Sequence, residues 1–172
     1  MKLLVVVDMQ NDFIDGALGT KEAVGILDAV AQKIHAYRAA GDMVIFTRDT
    51  HEENYMDTQE GHKLPVPHCI RGTEGWQISS KLDVADSQIV DKPTFGSTAL
   101  AHLVSGMQNL DGIEVIGVCT DICVISNVMI LKAALPEVPI QVDASCCAGV
   151  TPASHKNALE AMKMCQVEVI GE

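Results

Sequence analysis

Aromatic residues are scarce in this chain: they make up 3% of its 172 residues, as one Trp, two Tyr and three Phe. A surface that stacks nucleic-acid bases needs more of them. Basic residues are also few, with 12 Lys+Arg against 23 Asp+Glu and a formal charge of −11. That balance opposes binding to phosphate backbones and anionic membranes, so neither a nucleic-acid nor a membrane partner is expected. Long apolar runs are missing as well. The opening run, Leu3–Val7, is closed by Asp8, far short of the roughly 20 residues of a membrane-spanning helix, and it fits no secretory leader. Six cysteines at positions 69, 119, 123, 146, 147 and 165 have no spacing that suggests a disulfide framework. Several lie in or beside apolar runs, and a reducing, cytoplasmic setting is the expectation.

What is present is a rhythm. Apolar, β-branched runs recur at Leu3–Val7, Met43–Thr47, Gln88–Val90, Glu114–Val118, Pro139–Val142 and Val167–Ile170, separated mostly by segments of helical spacing. Val24, Leu27, Ala31 and Ile34 recur on one helical face, leaving Lys21, Asp28, Gln32 and Arg38 for solvent, and Gly41 ends that helix. Thr151-Pro152 reads as an N-cap with proline in the first helical position, opening a helix to about Met164. Near-continuous apolar strands joined by helices imply a parallel sheet covered on both faces. With 48% hydrophobic residues the chain can build one sizeable core, and residues 1–172 are read as a single domain. Residues 49 to about 80 break the rhythm, and long irregular loops in compact domains are usually functional.

In an open α/β sheet ligands bind outside the carboxyl ends of the strands, so the residue after each apolar run matters most. Asp8 follows the first run, Asp49 the second, Asp91-Lys92 the third, and Cys119 with Cys123 the fourth. Acid, acid, base and thiol therefore meet at one edge. Singly, each has an ordinary explanation: aspartates cap turns, lysines are solvated, and buried cysteines are inert small hydrophobes. Their joint placement instead suggests nucleophilic catalysis. A free thiol with a pKa of about 8.5 needs assistance at neutral pH. Lys92 offers a cation that favours the thiolate, and Asp8 a carboxylate that takes its proton. Cys123 is predicted to fall in the first turn of a helix over 122–135, where unpaired N–H groups favour a thiolate and can face an oxyanion. Strand-end placement alone leaves more than one cysteine in contention.

The segments VVVDMQNDF (Val5–Phe13), DKPTFGST (Asp91–Thr98), GVCTDICV (Gly117–Val124) and DASCCAGVTPASHKNALEAM (Asp143–Met162) resemble the isochorismatase-like cysteine hydrolases, and among them the nicotinamidases. The resemblance implies a three-layer Rossmann-like fold with a six-stranded, mainly parallel sheet. It selects Cys123, directly before a valine, as the nucleophile, with Asp8 and Lys92 as its partners. It also implies a cis peptide before Cys119 and an oxyanion hole formed by the backbone N–H groups of Cys119 and Cys123. One divalent metal ion is implied too, zinc first with manganese or iron as alternatives. Its ligands would be Asp49 and His51, which point the same way from an extended segment, together with His68 and either Glu60 or His62, of which Glu60 fits better.

The expected reaction is metal-assisted hydrolysis of nicotinamide to nicotinate and ammonia through a Cys123 thioester, with the metal as a template for the ring. Phe13, Trp76 and Phe95 are candidate contacts to that small-molecule substrate, and His35, His102 and His155 read as surface residues on helices. Relatives often assemble as homo-oligomers, which is carried here as an expectation. A metal-independent amidase acting on a small ureido or carbamoyl compound is the nearest rival. A thiol redox protein would need C-x-x-C where this chain has C-x-x-x-C. A non-catalytic binding module would leave Cys123 no more reactive than the other thiols.

Overall fold

Every side chain of Leu3–Val7 is buried, which the alternation of a strand allows only when both faces of the sheet are covered. The computed structural model, which describes residues 1–172, places that run in β1 (Lys2–Val7). The other strands are β2 (Met43–Asp49), β3 (Gln88–Lys92), β4 (Gly112–Val118), β5 (Ile140–Ala148) and β6 (Glu168–Ile170). They form one sheet in the order β3-β2-β1-β4-β5-β6, and every pairing is parallel. The α/β fold expected from the apolar rhythm is thus the one observed.

Seven helices complete the layers: α1 (Asn11–Ile14), α2 (Lys21–Gly25), α3 (Leu27–Ala39), α4 (Gln59–Lys63), α5 (Thr98–Ser105), α6 (Ile125–Ala134) and α7 (Pro152–Met164). α2 packs with α3, and α5, α6 and α7 lie side by side; the right-handed rule for parallel crossovers assigns the two groups to opposite faces of the sheet. Gly41, at φ +76°, ends α3 in a Schellman turn: its N–H reaches Arg38 O at 3.0 Å and that of Asp42 reaches Tyr37 O at 3.0 Å. Thr151 and Ser154 form a reciprocal capping box at the start of α7.

Two details of the first helical segment depart from the pattern. It is broken between Gly25 and Leu27, which rotates the face: Ala23 is buried and Val24 is exposed. Arg38 is not left to solvent, because it pairs with Asp83 and donates to Val84 O at 2.7 Å and Ser87 Oγ at 2.8 Å.

The strand order reverses between β1 and β4, and the crevice opens at that switch point. Gly117 makes the close approach possible. It lies at φ +118°, and a Cβ there would sit 2.1 Å from Val7 O. Gly117→Ala is expected to lower stability by about 2–3 kcal/mol through clash and backbone strain, read from the urea midpoint at unchanged m-value. A shift below about 0.5 kcal/mol would mean that the two strand ends are free to separate.

Candidate active site

Four strand ends meet at the crevice. Asp8 follows β1 at φ +50°, an uncommon conformation for a residue with a side chain. Asp49 and Lys92 are paired in register at the ends of β2 and β3. Cys119 follows β4 through a cis Val118–Cys119 peptide.

Asp8 is wholly buried, accepts from Thr47 Oγ1 at 2.7 Å through Oδ1, and has Oδ2 2.6 Å from Lys92 Nζ. That second contact is an ion pair rather than an aligned hydrogen bond, so Oδ2 keeps acceptor capacity. Lys92 Nζ also donates to Thr94 O at 3.1 Å and lies 3.5 Å from Asp49 Oδ1 and 3.6 Å from Cys123 Sγ.

Burial pushes the Asp8 carboxyl above its ordinary range; Lys92 offsets part of that and Asp49 adds to it. Burial alone would lower the Lys92 pKa, but Asp8, Cys123 and Asp49 hold it above its ordinary value, so it stays a cation. The Cys123 thiol is raised well above its usual value by burial and then by Asp8, against the pull of Lys92. Lys92 favours the thiolate as expected, but burial and the Asp8 carboxylate weigh more, so loss of the thiol proton depends on a base beside it. The regular helix begins only at Ile125. Cys123 sits in a wide turn ahead of it, where Val124 N–H bonds Cys119 O five residues back at 3.0 Å. Asp8 Oδ2 and Cys123 Sγ share Lys92 Nζ, at 2.6 and 3.6 Å, which sets the carboxylate beside the thiol as a candidate base. Burial lifts Cys119 to about 12 as well, so titration does not separate the two thiols. Proximity to Lys92 does.

Beside this trio, Asp49, His51, Glu60 and His68 bring one ligand atom each to within 4.8 Å of one another. His51 Nε2 is 3.1 Å from Asp49 Oδ2 and 3.6 Å from Glu60 Oε1, and His68 Nε2 is 3.6 and 3.7 Å from the same oxygens. Ligands about 2.1 Å from a tetrahedral ion stand about 3.4 Å apart, so the donors are spaced to share one. His68 Nδ1 faces Val66 O at 2.8 Å, which makes it the N–H donor and leaves the Nε2 lone pair aimed at the cluster. Charge supports the same fit. Asp8, Asp49 and Glu60 oppose a single buried ammonium, Lys92, and a divalent cation would balance them. Glu60 rather than His62 enters the cluster; two positions along α4 amount to about half a turn, so His62 points outward and is exposed.

The thiol and the cluster open into one cavity of about 330 Å³, near the lower end of small-molecule sites (about 300–1,000 Å³). Asp49, Glu60, His68, Cys119 and Cys123 line it with apolar Phe13, Leu18, Leu64, Phe95, Ile122 and Val150. Trp76 does not line the cavity. It stacks 3.4 Å from the Arg48 guanidinium and donates to Thr50 Oγ1 at 2.9 Å. Arg48 precedes Asp49 on β2 and so points to the opposite face, and Trp76 goes with it. Nor is His155 a plain surface residue: it is half-buried, with Nδ1 2.7 Å from Thr120 Oγ1 beside the cis peptide.

Several supporting residues carry no chemical signal of their own in the sequence. Gln10 is fully buried and brackets Asp49, donating to its C=O at 2.8 Å and accepting from its N–H at 2.7 Å. Tyr55 stands edge-on to His51 and His68, with ring centroids at 4.7 and 5.1 Å. Gln10 lies inside the motif around Asp8, but nothing in the motif says which backbone it holds.

A buried Asp–Lys pair facing a thiol at the switch point of a parallel sheet, next to a cation-ready cluster, places the protein in the class of Rossmann-like α/β thiol hydrolases. Its relatives agree. Residues 2–172 match the isochorismatase domain, and the chain belongs to the isochorismatase family. The nicotinamidase/pyrazinamidase of Mycobacterium tuberculosis is 28% identical over 192 residues, covering 99% of this chain and 98% of that one. The solved pyrazinamidase of Pyrococcus horikoshii in complex with zinc superposes with a TM-score of 0.86 at 26% identity, covering 99% of both chains. The pyrazinamidase/nicotinamidase of Streptococcus mutans gives a TM-score of 0.86 at 26% identity, over 99% of this chain and all of that one.

Proposed function

We propose that the protein is an amidohydrolase that converts nicotinamide to nicotinate and ammonia through a thioester on Cys123. The observation that carries this is the cavity lined both by the Cys123 thiol and by Asp49, Glu60 and His68 of the four-residue cluster. An amidase working without a metal would leave two carboxylates and two imidazoles converged with no task, which disfavours the ureido and carbamoyl alternative.

Asp8 takes the Cys123 proton as the sulfur attacks the carboxamide carbon, and the backbone N–H groups of Cys119 and Cys123 receive the charge on oxygen. Asp8 then returns the proton to the departing nitrogen, and ammonia leaves a thioester behind. In the second half Asp8 deprotonates water, which attacks the thioester carbon, and the proton goes back to the Cys123 sulfur as nicotinate departs. Lys92 stays protonated throughout and holds the Asp8 carboxylate and the sulfur in register. Phe13 and Phe95 flank the ring. A divalent ion held by Asp49, His51, Glu60 and His68, zinc first with manganese or iron as alternatives, would supply a Lewis-acid anchor for the pyridine nitrogen. A cytoplasmic setting is part of this proposal, supported by six free cysteines and by the lack of any helix long and apolar enough to cross a membrane.

The direct test is ammonia release across a panel of small amides, with metal content measured on the same sample. Nicotinamide is expected to be the best substrate at about one bound ion per chain. Prolonged chelation is expected to strip that ion and raise the Michaelis constant for nicotinamide by at least about tenfold, reversibly on adding zinc. If chelation removes the ion and leaves the Michaelis constant unchanged, the anchor role is wrong.

A further inference from the structure

Asn127 is fully buried in α6, one turn beyond Cys123, and all of its side-chain hydrogen bonds go to backbone around the reacting groups. Its Nδ2 donates to Cys123 O at 2.8 Å and to Phe95 O at 3.1 Å, while Oδ1 accepts from Ser97 N–H at 2.9 Å. The first bond is local. The other two cross to the strap of residues 93–97, which runs from Lys92 to the N-cap of α5.

That strap is functional backbone. Thr94 O accepts from Lys92 Nζ at 3.1 Å, and Phe95 lines the cavity. It also lies flat on α6: a Cβ at Gly96 would meet Ile130 Cδ1 at 2.5 Å and Ser126 O at 3.2 Å. If this contact needed only packing, an apolar side chain would fill the position without the desolvation of an amide. An asparagine with each bond directed at one of two separate segments does something more specific.

We propose that Asn127 is a positioning residue that pins the nucleophile turn to this strap, fixing Lys92 Nζ and Cys123 Sγ at their 3.6 Å separation. It acts through Cys123 and Lys92 and touches no substrate, and the proposal rests on Cys123 being the nucleophile. Loss of the pin lets the turn and the strap drift apart. A misplacement of about 1 Å at reacting groups costs on the order of 100-fold in rate.

Three variants test this. Asn127→Ala removes every bond of the pin. Asn127→Ser keeps a hydroxyl able to reach the Cys123 carbonyl four residues back but not the strap. Gly96→Ala leaves Asn127 intact but crowds the strap against α6, where the Ile130 side chain can yield and the strap must ease away from Ser126 O, and it reads the effect of strap position if the Asn127 variants do not fold. All three are expected to lose about 10- to 100-fold in kcat for nicotinamide, with KM within about threefold. Alkylation of Cys123 by iodoacetamide in metal-free protein is expected to slow about tenfold or more in parallel. A purely structural role would lower the melting temperature and leave the folded fraction with wild-type kcat and alkylation rate, which would overturn the proposal. So would wild-type kcat in Asn127→Ser, because the local bond alone would then suffice. Should the wild type release no ammonia from any amide, the hydrolase reading fails, while the alkylation comparison still decides the role of Asn127.

Discussion

Cys123→Ala is expected to abolish ammonia release from nicotinamide, with kcat falling by roughly five to six orders of magnitude while the protein stays folded. The size follows from what is removed. Without the sulfur no thioester forms, and only transition-state contacts and binding remain, which in comparable hydrolases leave a small residue above the uncatalysed rate. The fold should tolerate the change, because Cys123 is a small buried side chain whose Sγ makes one long contact, to Lys92 Nζ at 3.6 Å. Coupled ammonia detection checks the loss, and thermal melting checks the fold. Mass spectrometry after brief incubation of wild type with nicotinamide, quenched in acid, should show the acyl adduct on Cys123 and none on Cys119. Residual turnover within a factor of about 100 of wild type would end the nucleophile assignment.

Lys92→Met is expected to be the most destabilising single change in the site, at about 3–5 kcal/mol in metal-free protein. Lys92 is a buried ammonium 2.6 Å from Asp8 and 3.5 Å from Asp49, and methionine replaces its volume but not its charge. Two buried carboxyls would then lose their only nearby ammonium partner. Because the cost lies in what is left unpaired, Asp8→Asn in the same chain should recover a large part of it: the double variant is expected to regain about 2 kcal/mol or more. Neither variant should turn over nicotinamide. Urea titrations of the two single variants and the double variant measure the coupling. If Lys92→Met unfolds within about 1 kcal/mol of wild type, the Asp8–Lys92 pair is not the electrostatic keystone of the crevice.

These expectations draw unequally on sequence and structure. Asp8, Asp49 and Lys92 were legible because each closes an apolar run, and a parallel sheet sends every such end to the same edge. The wide turn before α6 was not legible, since Thr120–Val124 carries no breaker, and it places Cys123 ahead of the regular helix rather than in its first turn. Trp76 was misplaced for a related reason. Being the one tryptophan near a functional loop says nothing about which face of β2 that loop covers, and Arg48 captures it on the far side.

The sequence by itself determined the parallel α/β sheet and the set of chemical groups at its carboxyl edge, because burial on both faces writes continuous apolar runs and strand ends inherit one direction. Only the tertiary structure decided which groups act on which. The β2–β3 register brings Lys92 to Asp49, the half-turn in α4 admits Glu60 and turns His62 away, and Asn127 reaches a strap some thirty residues earlier in the chain. Those are distances between segments remote in sequence, fixed by packing and hydrogen bonds that no local pattern encodes.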